Sequence, residues 1–324
     1  MMRKARALCL LSGGLDSQLA VCVLREQGVE PRGIAFESPF FGSKSALKAA
    51  AKLGIPLHVE DFTGDILELL RDPPHGFGSC MNPCIDCHAR MLRRAGRLME
   101  KLGLDFLATG EVLDERPMSQ NRTSLEIVAR DSQYGELVLR PLSARLLPET
   151  RPEREGLVDR ARLLSLRGRS RKPQIALAAK YGLSDYPTPA GGCLLTDPGF
   201  SRRLRDLMSH EPNPSLADMS FLKIGRHFRL GRRTKLVLGR NMSENEIIER
   251  EAGTRPLLKV ESFPGPIGVV CGEVSDELVR TAAGLCVRYS DAPRGQKAMV
   301  RVRSGGSFRI IEAEAAAESG LNPI

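Results

Sequence analysis

The chain has 324 residues, 42% of them hydrophobic and 27% charged, which suits a globular protein with room for two domains. No run of about 18 apolar residues occurs, which excludes a helical membrane span; the basic N-terminus leads into a Gly-rich motif instead of a small-residue cleavage site, so a cytoplasmic protein is expected. The net charge of +9 favours a polyanionic partner, RNA or DNA, over a neutral metabolite, the plainer alternative being a basic surface without a partner.

In chain order, 7–11 reads as a short buried strand and 15–27 as a helix with Leu15, Leu19 and Val23 on one face. Strands follow at 33–37 and 57–62, with a helix at 43–53 between them and another beginning at 66–70. A helix at 87–102 and a strand at 105–110 continue the alternation. Strands alternating with helices predict an α/β, doubly wound parallel sheet. A charge-rich stretch at 151–172 then carries eight basic residues, among them Arg167, Arg169, Arg171 and Lys172, against three acids. Helices are expected at 172–182 and 197–209, separated by the loop YPTPAGGC. The Pro-rich, polar segment 210–217 places the domain boundary, giving domains 1–210 and 211–324. The tail mixes strands (221–230, 234–240, 257–262, 267–272, 297–303, 308–313) with helices (243–251, 275–287), a second, smaller α+β domain.

SGGLDS, Ser12 to Ser17, follows the first strand and opens the first helix. The adjacent Gly13 and Gly14 let backbone approach a bulky anion, and their N–H groups with those of the helix's first turn can point at phosphate oxygens. Ser12 and Ser17 add hydroxyl donors. Asp16 makes sense beside phosphates when a divalent cation or a structural hydrogen bond accepts its charge. A generic Gly turn with Asp16 as a cap is the bland alternative; no GxxxxGK[ST] occurs, so this is not a Walker loop.

Of the eight cysteines, Cys9, Cys22, Cys271 and Cys286 sit in apolar surroundings and read as core residues. Cys80, Cys84 and Cys87 cluster in GSCMNPCIDCHARM, and Cys193 stands in PAGGCLLTD. Cys84 and Cys87 span the expected start of a helix, where a lowered thiol pKa is anticipated. Three thiolates with an open position suit a [4Fe–4S] cluster. Four suit structural zinc. A CxxC pair, or Cys87 with Cys193, suits persulfide or disulfide chemistry. Inert cysteines are the plain alternative, as a surface position is for His88.

SGGLDS matches the signature of the PP-loop ATP pyrophosphatase superfamily, in which the loop holds the ATP pyrophosphate and a substrate oxygen is adenylated. That resemblance implies ATP and Mg2+, with AMP and pyrophosphate as products. LATGEVLDERPMSQ resembles the superfamily's TGE segment, which puts Thr109, Gly110 and Glu111 beside the nucleotide. NPCIDC looks like the NPDxxC segment of the bacterial tRNA 2-thiouridine synthetases, with Cys84 where they carry Asp; Cys87 and Cys193 then take the places of their two catalytic cysteines. CxxC plus a distant Cys resembles the iron–sulfur-dependent tRNA thiolases. The resemblance therefore implies a [4Fe–4S] cluster on Cys84, Cys87 and Cys193, with zinc as the alternative, and leaves Cys80 without a counterpart. It implies a tRNA sulfur transferase with tRNA and a sulfur donor as partners. A PP-loop enzyme acting on a small molecule, or an RNA-binding protein with a structural metal, stands as the rival.

FLKIGRHFRLGRRTKLVLGR holds Lys223, Arg226, Arg229, Arg232, Arg233, Lys235 and Arg240 with no acid, which strand alternation would gather into a phosphate-tracking face or leave as a solvated hairpin. The segment resembles an RNA-binding module at the C-terminus of certain translation-associated proteins. Trp is absent and aromatics total 5%, so phosphate and shape recognition is expected to outweigh base stacking.

Overall fold

The computed structural model describes residues 4–187, 192–211, 213–317 and 323–324; part of the expected loop before Cys193 lies outside them. The chain forms two compact units, Met1–Thr196 and Asp197–Ile324.

The first unit alternates strand and helix: β1 (Arg6–Leu10), α1 (Leu15–Glu26), β2 (Glu30–Glu37), α2 (Lys44–Leu53), β3 (Leu57–Asp61), α3 (Thr63–Arg71), α4 (Cys84–Lys101), β4 (Phe106–Ala108), α5 (Arg122–Ser132), β5 (Val138–Leu139), α6 (Arg151–Arg154) and α7 (Lys172–Lys180). The five strands pair in the order β3-β2-β1-β4-β5, all parallel. Because α1 leads from β1 outward to β2 and the later chain returns to the other side of β1, the order reverses between β1 and β4. In such sheets ligands bind outside the carboxyl ends of the strands at that reversal. The strands read as continuous apolar runs because helices cover both faces; Ala7, Leu8, Phe106 and Leu107 are fully buried.

Several elements differ from the expected bounds. The helix expected to start at Cys87 starts at Cys84, with Pro83 in the cap position and the Cys87 N–H donating to the Pro83 carbonyl at 2.8 Å. The strand expected over 105–110 stops at Ala108, although the Thr109 N–H still donates to the Leu139 carbonyl of β5 at 3.0 Å. α5 was not expected; Asn121 starts it by accepting from the Ser124 N–H at 2.8 Å.

The second unit contains α8 (Pro198–His210), α9 (Leu216–Phe221), β6 (Arg226–Gly231), β7 (Thr234–Leu238), α10 (Met242–Glu251), β8 (Leu257–Val260), β9 (Ile267–Gly272), α11 (Asp276–Arg288), β10 (Ala298–Ser304) and β11 (Ser307–Ala313). Its antiparallel sheet runs β11-β10-β8-β9-β7-β6. One face packs Leu258, Val270 and Val300 on α11; the other packs Val237, Ile267 and Val269 on α9 and α10. The compact unit begins before α8, whereas composition puts the break after it, near residue 210. Asp206 of α8 pairs with Arg229, and Arg203 donates to the Leu222 carbonyl at 2.9 Å, so α8 is bound to this sheet. The strand expected over 221–230 begins at Arg226: a Ser215–Asp218 capping box starts α9, and Phe221 is its buried last residue.

Phe106 fills the centre of the first unit at 0% exposure. Phe106→Ala should destabilise that unit by about 3–5 kcal/mol, read as a lower urea midpoint.

Candidate active site

The phosphate loop sits at the carboxyl end of β1. Gly13 takes φ +82°, and a Cβ there would stand 2.3 Å from the Ser45 carbonyl carbon, so the loop rests directly on the start of α2. The Gln18 amide donates to the Gly13 carbonyl at 2.9 Å, and the Ser17 hydroxyl donates to the Gly14 carbonyl at 2.8 Å. The Gly14 N–H turns to Ser12 Oγ at 3.3 Å. No side chain caps α1 at Gly14, the arrangement used where a ligand oxyanion takes the cap's place.

Asp16 lies in the first turn of α1. Burial pushes its carboxyl up, and Arg171, Arg116 and Gln174 pull it down. Its Oδ1 is buried without a hydrogen-bond partner among the described residues. A carboxylate oxygen so placed beside a phosphate cradle fits a divalent cation. Arg171 and Gln174 belong to the N-terminal end of α7; Gln174 is 1% exposed although polar. Sequence reading passed over both, because Arg171 is one of many basic residues in the run 151–172 and only the packing of α7 on α1 singles it out.

Thr109 and Gly110 follow β4. A Cβ on Gly110 would stand 2.5 Å from the Asp16 carbonyl carbon, so this strand end and the start of α1 touch backbone to backbone. The next residue, Glu111, is buried. One of its oxygens accepts from Arg140 Nε at 2.9 Å and from the Thr109 hydroxyl at 3.0 Å; the other lies 3.2 Å from His88 Nδ1. Burial alone would push the Glu111 carboxyl up, but Arg140 and His88 outweigh it and bring it to about 2. His88 is therefore a partner of Glu111, on the first turns of the helix that carries the cysteines.

Cys84 is the first residue of α4 and Cys87 lies one turn on. Asn82 organises this entry: its amide Nδ2 lies 3.2 Å from Cys84 Sγ, and its carbonyl oxygen accepts from the Cys80 N–H at 3.0 Å. His75 closes the preceding loop onto α4 through Asp86, Nδ1 to Oδ1 at 2.7 Å. Cys193 arrives from far along the chain; the Leu194 N–H donates to the Phe40 carbonyl at 3.0 Å, fixing that segment at the carboxyl end of β2.

The three thiols lie within electrostatic reach of one another. Burial pushes Cys87 well above the usual thiol range, and the charges of Cys193 and Cys84 push it further. Burial likewise takes Cys193 up to about 11; Cys84 adds to this and Arg116 opposes it. The lowered pKa anticipated from the helix start is thus not found at Cys87, where desolvation dominates. Arg116 acts electrostatically on both Cys193 and Asp16. Among the described residues no three His, Cys, Asp or Glu side chains close tightly enough to hold a single metal ion.

The five basic residues expected to track RNA divide. Arg229 is held by Asp206, Arg233 pairs with Glu273 at 3.4 Å, and the Arg226 guanidinium lies 5.0 Å over the Tyr289 ring. Lys223 and Arg232 are exposed, whereas Lys235 of the same run is buried.

Breaking the Glu111–Arg140 pair has a defined pH signature. A carboxyl held near 2 against an ordinary 4.5 contributes stability that is complete above 4.5 and fades as the pH falls towards 2. Glu111→Gln should lose roughly 3 kcal/mol at neutral pH and show a flatter acid limb over that window; stability measured against pH checks both.

Residues 3–145 match the family described as thiamine biosynthesis protein (ThiI), and residues 225–322 match the NFACT protein RNA binding domain. The tRNA-specific 2-thiouridylase MnmA of Roseiflexus castenholzii is 28% identical over 262 residues, covering 69% of this chain and 67% of that protein. The corresponding protein of Syntrophotalea carbinolica is 35% identical over 121 residues, about a third of each (32% and 33%). Among solved structures, a 4-thiouridine synthetase in complex with RNA and ATP is 26% identical, covering 43% of this chain and 37% of that one, at a TM-score of 0.36. The U34-tRNA thiolase NcsA of Methanococcus maripaludis, with its [4Fe-4S] cluster, is 17% identical over 68% of this chain and 70% of that one, at 0.29. The chain thus spans 37% of the synthetase and 67% of the first thiouridylase. The ThiI match takes in the phosphate loop, the cysteine helix and the TGE strand end, and the NFACT match takes in the antiparallel sheet of the second unit.

Proposed function

We propose that the protein is an ATP-dependent tRNA sulfur transferase, which adenylates a uridine carbonyl and replaces its oxygen with sulfur. The observation that supports this reading is the electrostatic coupling of Cys84, Cys87 and Cys193 to one another, together with an arginine, Arg116, that acts on both Cys193 and Asp16 of the phosphate loop.

In this reading Gly13, Gly14 and the first turn of α1 hold the ATP pyrophosphate, with Ser12 and Ser17 shaping the loop. Asp16 would hold a Mg2+ ion, whose charge would offset that of the departing pyrophosphate. Thr109 and Gly110 border the nucleotide. The uridine oxygen attacks the α-phosphorus; the bond to pyrophosphate breaks and pyrophosphate leaves. Sulfide then attacks the ring carbon, and AMP departs carrying the former carbonyl oxygen. Arg116 stabilises negative charge on the phosphate during both displacements. A [4Fe–4S] cluster held by Cys84, Cys87 and Cys193 would supply an iron site for sulfide. The residues fit such a group because Cys87 is buried, Cys84 and Cys193 are partly buried, and the three would repel one another once ionised, a set that positive charge would hold together. An external donor, protein or free sulfide, brings the sulfur. Lys223, Arg226, Arg229, Arg232 and Arg233 belong to the tRNA-binding unit. The reading places the enzyme in the cytoplasm, where reduced thiols persist; no helix among the described residues is long and apolar enough to cross a membrane.

Asp16→Ala should keep the fold and lower ATP turnover by about a hundredfold or more, measured as tRNA-stimulated pyrophosphate release. Anaerobically purified protein should be brown and carry about four irons per chain, whereas Cys193→Ser should lose iron and thiolation yet still bind ATP. A colourless protein containing zinc alone would remove the cluster from this account.

A further inference from the structure

The far edge of the second unit's sheet carries a surface that the basic hairpin does not explain. In β10, Ala298, Val300 and Val302 point into the core formed with α11, so Met299, Arg301 and Arg303 point to the opposite face. The register places Glu312, Ile310 and Phe308 of β11 directly across from these three, on the same face. Lys259 of β8 lies across from Arg301 on the other side. Nearer the centre of the sheet, α9 and α10 cover this face. Over the β10–β11 hairpin no described residue covers it: Phe308 is 67% exposed, Ile310 48% and Met299 43%.

The side chains are arranged as a plane with cations at its margin. The Arg301 guanidinium lies 5.4 Å from the Phe308 ring centroid and is steadied by Glu261 at 2.9 Å. Lys259 and Arg303 are exposed and make no ion pair among the described residues. An exposed ring on a sheet face, flanked by unpaired cations, is the chemistry that receives unpaired nucleobases: the ring stacks a base and the cations meet its phosphates. An apolar protein partner would leave those two cations uncompensated at the margin of a small apolar patch.

We propose that the outer face of the β10–β11 hairpin, with Phe308 at its centre and Arg301, Arg303 and Lys259 around it, is a stacking platform for unpaired bases of the RNA substrate. This deepens the tRNA reading and rests on it. It corrects the expectation that base stacking is minor: 5% aromatic content does not reveal that one ring stands on an open sheet face.

The chain has no tryptophan, so Phe308→Trp introduces a single fluorophore at the site. The full-length variant is titrated with a single-stranded oligoribonucleotide and with a blunt RNA duplex of the same sequence. The single strand should quench the fluorescence and the duplex should not. Phe308→Ala should weaken single-strand binding roughly tenfold or more and leave ATP binding unchanged, while Phe308→Tyr retains it. If the single strand binds with unaltered fluorescence, and Phe308→Ala binds as the parent does, the platform is wrong and the RNA reading survives. If the parent chain binds neither RNA, both fall. A shift that follows protein concentration without RNA would mean that copies of the chain pack on this face, and would also overturn the platform.

Discussion

Glu111 carries a full negative charge in the interior of the first unit. Such a charge is tolerated only where partners surround it, and here they come from three places: Thr109 at the end of β4, Arg140 just after β5, and His88 in α4. The carboxylate therefore fixes the spacing between the strand ends that receive the nucleotide and the helix that presents the cysteines. The backbone contact of Gly110 with Asp16 carries the same constraint to the phosphate loop. A shift in any one of these segments would leave a buried charge without its partners, so the site behaves as one rigid assembly.

The thiols impose the opposite economy. Cys87 and Cys193 are held as neutral groups chiefly by burial, to which Cys193 and Cys84 add at Cys87 and Cys84 adds at Cys193. Ionising them without a compensating cation is unfavourable, so the site is quiet until something positive occupies it. Arg116 is the charge within reach of both the thiols and Asp16, and it ties the electrostatics of the sulfur chemistry to those of the nucleotide.

Much of the first unit was legible because each signal was local. An apolar strand, SGGLDS and a helix with one buried face specify the loop and its position without knowledge of the rest. NPCIDC showed a helix entry, though the start shifted from Cys87 to Cys84 because Pro83 can stand before the first turn but not inside it. What escaped depends on distant packing: Arg140, Arg171 and Gln174 are ordinary residues until their segments meet Glu111 and Asp16. In the second unit, Phe221 and Ile224 imitate a strand, and only the Ser215–Asp218 box announces the helix that takes Phe221. The run of basic residues, open from sequence to either one phosphate-tracking face or a solvated hairpin, is divided among ion pairs, a ring contact and a buried lysine.

The phosphate loop is supported from behind. With Gly13 pressed on the Ser45 backbone and Gln18 bonded to its carbonyl, the curve of the loop is set by α2 and α1 before any ligand arrives. Little conformational freedom is left to surrender when a triphosphate docks, so most of the attraction between amides and oxyanion is free to appear as affinity. The same stiffness means the cradle cannot widen: an acceptor that demands a different phosphate geometry would have to move itself.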